Sequence, residues 1–279
     1  MIEQFQHKFT NSFMLWFDNF LMTKGQAYES VSGELYPVLD ERADSDYSIY
    51  ASSFKEWVYD SSMGDIVTGV IDGSGNTYGR NDGIIFDYNN GRTLSTGALI
   101  EPVTPLPATY LKKEFNIYFT NDDEDDLIVD RKYEFGVNDT GAIAPYDLVV
   151  PAVFLSVNGV NNDPLAFGGE QETKVTAKAV VLAEHPFQLD GVLSIFADSQ
   201  DEVFKSIPMS GHPIDENGDL KGALDYTYTG LASEYEGKPF YINNVTTSKL
   251  TQRALKELTN ELYVGFIDFD IQVHRFRFS

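Results

Sequence analysis

The sequence predicts an α+β fold: a mixed, largely antiparallel β-sheet with packed helices, preceded by a β-rich N-terminal part that opens on a long helix. Three observations carry this expectation. Residues 148–157, LVVPAVFLSV, are apolar on both faces, so a strand there should be covered on both sides of its sheet. Residues 173–183 alternate, with Val175, Ala177, Ala179, Val181 and Ala183 on one face and Thr176 and Lys178 on the other. Residues 189–207 place Leu189, Val192, Leu193, Phe196, Val203, Phe204 and Ile207 on one stripe at helical spacing, with Gln200 its one polar member. A polar Gly/Asn/Pro turn separates the two strands, and His185-Pro186 breaks the chain before the helix.

Taken in chain order, residues 4–24 read as the opening helix, with Gly25 placed to stop it. Phe5, Phe9, Phe13, Trp16, Phe17 and Phe20 form its stripe, while Met14, Leu15, Leu21 and Met22 lie off it. Such a helix is either buried centrally or shared with another chain, and the aromatic spacing favours the core. Residues 26–100 are short aromatic β pieces. Asn81-Asp82-Gly83 and Asn89-Asn90-Gly91 fit tight hairpin turns around a strand at 84–88. Pro102, Pro105 and Pro107 mark the expected boundary, which divides an N-terminal domain at 1–106 from a second at 107–279. In the second, residues 114–121 form a strand with Phe115, Ile117 and Phe119 on one face, and 122–126 form an acidic turn. A loop-rich insertion at about 208–247 and a helix at 248–262 lead to the closing strand. There Ile267, Phe269, Ile271 and Val273 alternate with Asp268, Asp270, Gln272 and His274, and the alternation slips at His274-Arg275 as a bulge or an exit from the sheet would produce.

The composition, with 20 Phe, 16 Tyr and 2 Trp in 279 residues, belongs to a folded β-rich protein. A net charge of −23 repels phosphate backbones and anionic bilayers, which argues against nucleic-acid and membrane partners and favours solubility at high concentration. The absence of cysteine excludes disulfides, thiolate metal sites and a cysteine nucleophile. MIEQFQHKF lacks the basic and apolar regions of a secretory signal. The most apolar stretch, 13–22, is about half a bilayer span and contains Asp18 and Asn19.

No residue set predicts chemistry, so the expectation is a protein that is not an enzyme, with no catalytic, cofactor-binding or metal residues and no cofactor. NDDEDD at 121–126 offers hard oxygen ligands for Ca²⁺ or Mg²⁺, but nothing fixes their geometry. DENGD at 215–219 begins like a calcium loop and then fails, with Leu220 at the sixth position and Tyr226 at the twelfth. His7, His185, His212 and His274 are scattered without ligand spacing, and Gly73, Gly75 and Gly79 precede no helix. Aromatic β segments rich in acids also suit a carbohydrate-binding or carbohydrate-cleaving protein. An exposed platform around Trp57 and Tyr59 would favour that reading.

Residues 148–207 together with the final strand resemble tail-terminator and neck (head–tail connector) proteins of tailed bacteriophages. The marks are the apolar strand with Pro151, the turn NDPLAFGGEQET, the strand TKVTAKAVVLAE and a helix opening near FQLDGV. WFDNFLMTKGQAYES and GIIFDYNNGR are also similar in pattern to phage virion segments. The resemblance implies a structural ring subunit at the head–tail junction of the virion, a homo-oligomer such as a hexamer, contacting other neck and tail proteins. The alternatives within the particle are a baseplate, collar or tail-fibre component. The family's usual size is smaller, and residues 1–106 are the extra part. The subunit contacts are expected at the N-terminal helix or at the closing strand, taken as an edge strand with Arg275 and Arg277 at its end.

Overall fold

The computed structural model describes residues 4–38, 40, 47–96, 105–128, 134–135, 147–165, 169–222, 225–235, 237–251 and 262–276. It bears out the α+β class, with mostly antiparallel sheets and four helices among the described residues.

Helix α1 is Phe5–Gly25. The left-handed residue that ends it is Gln26 (φ 49°), one position beyond the expected stop, and Gly25 is its last helical residue. The glycine serves close approach instead: a Cβ at Gly25 would lie 2.9 Å from Ile195 Cδ1. The chain then forms β1 (Tyr28–Val38), β2 (Tyr47–Ala51), the small ribbon β3 (Gly69–Ile71) and β4 (Thr77–Gly79), then β5 (Ile84–Asp87), β6 (Arg92–Thr96) and β7 (Leu106–Lys113). Strands β5-β6-β2-β1-β7 make an antiparallel sheet in that order. The expected Asn-Asn-Gly turn joins β5 to β6, and Gly91 (φ 57°) is required there, since a Cβ would lie 2.0 Å from Phe54 O.

The rest of the chain supplies β8 (Asn116–Phe119), α2 (Glu124–Ile128), β9 (Glu134–Phe135), β10 (Val149–Val150), β11 (Ala152–Pro164), β12 (Glu170–Ala183), α3 (Pro186–Ala197), β13 (Val203–Lys205), α4 (Tyr228–Glu234), β14 (Pro239–Lys249) and β15 (Tyr263–Phe276). Six of them form a sheet in the order β13-β14-β15-β12-β11-β8, antiparallel except where β8 meets β11. Its inner face carries Val175, Ala177, Ala179, Val181, Phe269 and Ile271 against α1 and α3. Its outer face is covered in part by Leu127, Ile128 and Leu262 against Phe154, Val180 and Val264. Phe154 and Leu155 therefore sit in different cores, as the two-sided apolar run predicts.

Several expectations need correction. The helix predicted over 189–207 runs from Pro186 and ends at Ala197. Ser199 Oγ donates to Phe196 O, and Asp201 turns left-handed (φ 68°), so the chain reverses and Phe204 is buried from a strand. Val203 is exposed: the apolar residues happened to match both periods. The polar stretch after Val157 is ladder instead of turn, for β11 continues through a bulge to Pro164 opposite Gln171. The acidic turn at 122–126 contains the start of α2, with Asp123 Oδ1 accepting from Asp126 N. The loop-rich region ends at β14, and Ser248 and Lys249 of the helix expected at 248–262 belong to that strand. Residues 252–261 lie outside those described.

The closing strand is not an edge. β15 lies between β14 and β12, and its pairing with β12 runs without a slip from Tyr263 to Phe276. Leu15, Leu21 and Met22 are buried within the chain, so α1 is a central helix. The division expected at 106/107 cuts across both cores. Leu106 begins β7, which pairs with β1, and α1 packs against the six-stranded sheet. In return, Ile214 and Leu220 of the 208–226 crossing fill the core of the five-stranded sheet beside Tyr50, Trp57 and Tyr88. Each sheet is completed by a segment from the other half of the chain.

Candidate functional site

The polar centre of the molecule lies where the two sheets meet. Lys113 ends β7, and its Nζ is 2.9 Å from Asp18 Oδ1 on α1 and 3.0 Å from Glu56 Oε2. All three side chains are buried. Glu56 Oε1 also accepts from the backbone N of Ile117 on β8, at 3.0 Å. Asp60 accepts from Ser62 N and from Tyr228 N, both at 2.9 Å, and so ties this segment to α4. Asn11 on α1 donates to Ile207 O and Pro208 O and meets His212 Nδ1 at 2.8 Å, fixing the crossing that follows.

A cavity of about 410 Å³ borders this cluster, lined by Asp18, Lys55, Glu56, Tyr59, Asp147 and His212 among others. Lys55 also lines a second cavity of about 280 Å³, with Phe54, Lys112, Asn116 and Gln188. Burial raises the Glu56 carboxyl, with Lys113 opposing. Burial disfavours the Lys113 ammonium, but Asp18 and Glu56 outweigh it and hold its pKa above the ordinary value. Burial pushes Lys55 down to about 8 and His212 down to about 4. Tyr59 is raised well above its usual range, first by burial and then by Asp18 and Glu56.

This arrangement suits a clamp. Glycoside hydrolysis needs two carboxylates open to a sugar, whereas Asp18 and Glu56 are bridged by one ammonium that keeps its charge. The aromatic platform that would favour carbohydrate binding is not formed. Trp57 is 0% exposed and stacks on Tyr110 at 5.0 Å, and Tyr59 is buried.

The groups singled out in the sequence are used elsewhere. In NDDEDD, Glu124 pairs with Lys178. In DENGD, Asp215 Oδ1 accepts from Asn217 N and Asp219 N, and Asp219 pairs with Arg80, so the loop is a turn satisfied by its own chain. Asp72 closes the Gly-rich hairpin by accepting from Ser74 N and Asn76 N. Among the described residues, no group of three or more His, Asp or Glu is placed to hold a metal ion. Of the four histidines, His212 alone lines the larger cavity. The sequence reading did not single out Lys55, Glu56 or Lys113. One signal was present: Asp18 interrupts the apolar half of α1, and a buried acid calls for a buried cation.

Neither a protein-family model nor a curated protein sequence matches this chain.

Proposed function

We propose that this chain is a non-catalytic structural subunit of a tailed-phage virion, made in the host cytoplasm and assembled into a ring at the neck or tail terminator. The observation that supports the ring most is the pair of half-open edges on the six-stranded sheet. β8 covers β11 only along 152–155, and β13 covers β14 only along 239–241. Among the described residues, nothing pairs with the outer sides of 157–164 and 243–249. These stretches lie at diagonally opposite corners, because Lys249 pairs with Gly265 near one end of β15 while Pro164 stands opposite Gln171 near the other.

β11 and β14 run antiparallel to each other, since each of the three pairings between them is antiparallel. A neighbour's β14 would thus continue the sheet beside β11 with a stagger along the strands. Two different edges meeting in this way form a heterologous contact, which closes into a ring when the rotation allows. The contact sites are therefore β11 and β14, in place of the closing strand and α1.

The absence of native cysteine gives a direct test. Oxidation of the double variant Asn161→Cys/Thr246→Cys should give a ladder that ends at one closed oligomer, while either single variant gives at most dimers. A ladder absent from the double variant would overturn the edge contact. Mass spectrometry of purified particles should find the chain in many copies; its absence would overturn the virion reading. Imaging of labelled particles then separates neck and tail terminator from baseplate, collar and tail fibre.

A further inference from the structure

Two lysines line the larger cavity, and their surroundings set them apart. Lys113 Nζ lies between Asp18 and Glu56 and sits 5.1 Å over the ring of Tyr59. Burial disfavours its charge, but the two carboxylates outweigh burial and keep it an ammonium. Lys55 is 4% exposed and lines both cavities. Asp87, Asp147 and Glu56 favour its charge and Arg92 opposes it, yet burial outweighs the acids and pushes it down to about 8. Its backbone is held in place: a Cβ at Gly91 would lie 2.0 Å from Phe54 O and 2.8 Å from Lys55 O. One lysine is thus kept charged, while the other is a fixed amine brought close to neutrality.

We propose that Lys55 is a covalent capture site for a small uncharged aldehyde with an apolar body, held as an imine in the larger cavity. The neutral amine attacks the carbonyl carbon, and one nitrogen proton passes to the carbonyl oxygen to give a carbinolamine. That oxygen then leaves as water with the second nitrogen proton, and a C=N bond remains. The product carries no charge, so capture removes an ammonium that burial penalises. The lining selects the ligand. Met14, Ile117, Leu148 and Phe154 offer apolar contact, and exposed Asn89 and Phe119 stand on the solvent side. An anionic aldehyde would meet Asp18, Glu56 and Asp147, with Lys113 already shared by two of them, on a chain of net charge −23. The site does not depend on assembly into a ring.

The test gives the full chain a short pulse of benzaldehyde, fixes any imine with borohydride, and reads each lysine by peptide mass spectrometry. Near neutral pH the uncharged fraction of Lys55 exceeds that of an ordinary lysine on the order of 100-fold. Lys55 should therefore take the label at least about 10-fold ahead of Lys113 and of exposed Lys24 and Lys205. Its labelling should fall as pH drops from about 8 towards 6, because the acids around it then face an ammonium. In concentrated urea the preference should vanish. Pyridoxal phosphate, an anionic aldehyde, should label exposed lysines and spare Lys55. A folded chain in which Lys55 reacts no faster than Lys24, a flat pH profile, or a preference that survives urea would overturn the capture site. Equal preference of pyridoxal phosphate for Lys55 would overturn the choice of an uncharged ligand.

Discussion

The two cores reach the same burial by different chemistry. The core under the six-stranded sheet is built on Phe: Phe17 and Phe196 stack with centroids 4.0 Å apart, and Phe13 and Phe196 meet Phe269 edge to face. The core of the five-stranded sheet is built on Tyr and Trp, and their polar ends are used. Tyr88 Oη donates to Val67 O at 2.7 Å, and Trp57 Nε1 donates to Ser52 Oγ at 3.0 Å. Arg92 joins Asp40 and Asp87, both at 2.7 Å. The difference follows from the backbone. Long ladders satisfy most backbone groups in the six-stranded sheet, so its interior can be dry. The irregular segments at 52–68 and 88–91 have few ladder partners, and side-chain donors and acceptors must take their place.

This contrast can be broken in order of expected effect. Lys113→Met leaves Asp18 and Glu56 buried without a cation and should cost about 3–5 kcal/mol in denaturant unfolding at neutral pH. Glu56→Gln keeps an acceptor for Ile117 N and should cost about 1 kcal/mol or less. An equal cost for the two would refute the clamp. In the Phe core, Phe17→Ala and Phe196→Ala should each cost about 3–5 kcal/mol, and the double variant less than their sum because the rings share one contact. In the Tyr core, Tyr88→Phe keeps the packing and loses one hydrogen bond, for about 1–2 kcal/mol. A loss as large as that of Phe196→Ala would erase the distinction.

A half-buried histidine and a buried lysine sharpen the comparison through pH. His212 is held down to about 4 by burial, whereas an unfolded histidine titrates near 6.5. The unfolded chain therefore binds the extra proton first, and stability is lost as pH falls from 6.5 towards 4. This should amount to roughly 2–3 kcal/mol, and His212→Gln should remove that slope. Lys55 is held down to about 8 by burial, with Asp87, Asp147 and Glu56 opposing. Below that pH it is charged in both states, and folding bears the part of the desolvation cost that those carboxylates leave uncompensated. Lys55→Met should therefore stabilise by about 1–2 kcal/mol at pH 7, a gain that shrinks as pH rises from 8 towards 10.5. A destabilised Lys55→Met would show that the ammonium is held by interactions stronger than its desolvation.

Periodicity made α1, β12, the inner residues of β15 and the two-sided burial near Phe154 legible in the sequence. Each is a long segment with one unbroken period. The reading failed where one pattern fits two structures. Val203, Phe204 and Ile207 suit a helical stripe, and only the turn held by Ser199 and Asp201 reveals the strand. It also failed where partners are distant. The strand 263–276 looks terminal in sequence and is interior in space, because β14 arrives from before it to occupy its other side. The Asp18–Lys113–Glu56 cluster joins residues far apart along the chain, and only packing shows that they meet.

Phe13 on the first helix rests edge to face on Phe269, almost the whole chain away. During synthesis this helix emerges long before Phe269, strongly apolar and without its bed, and must wait until β15 has been made. At ~5–20 residues per second that delay is on the order of ten seconds or more. Folding of the first sheet does not shorten it, because Ile214 and Leu220 of that core also come late. Neither half can then be finished on the ribosome before the other, and a nascent chain cut short of β15 should be a ready client for chaperones and proteases.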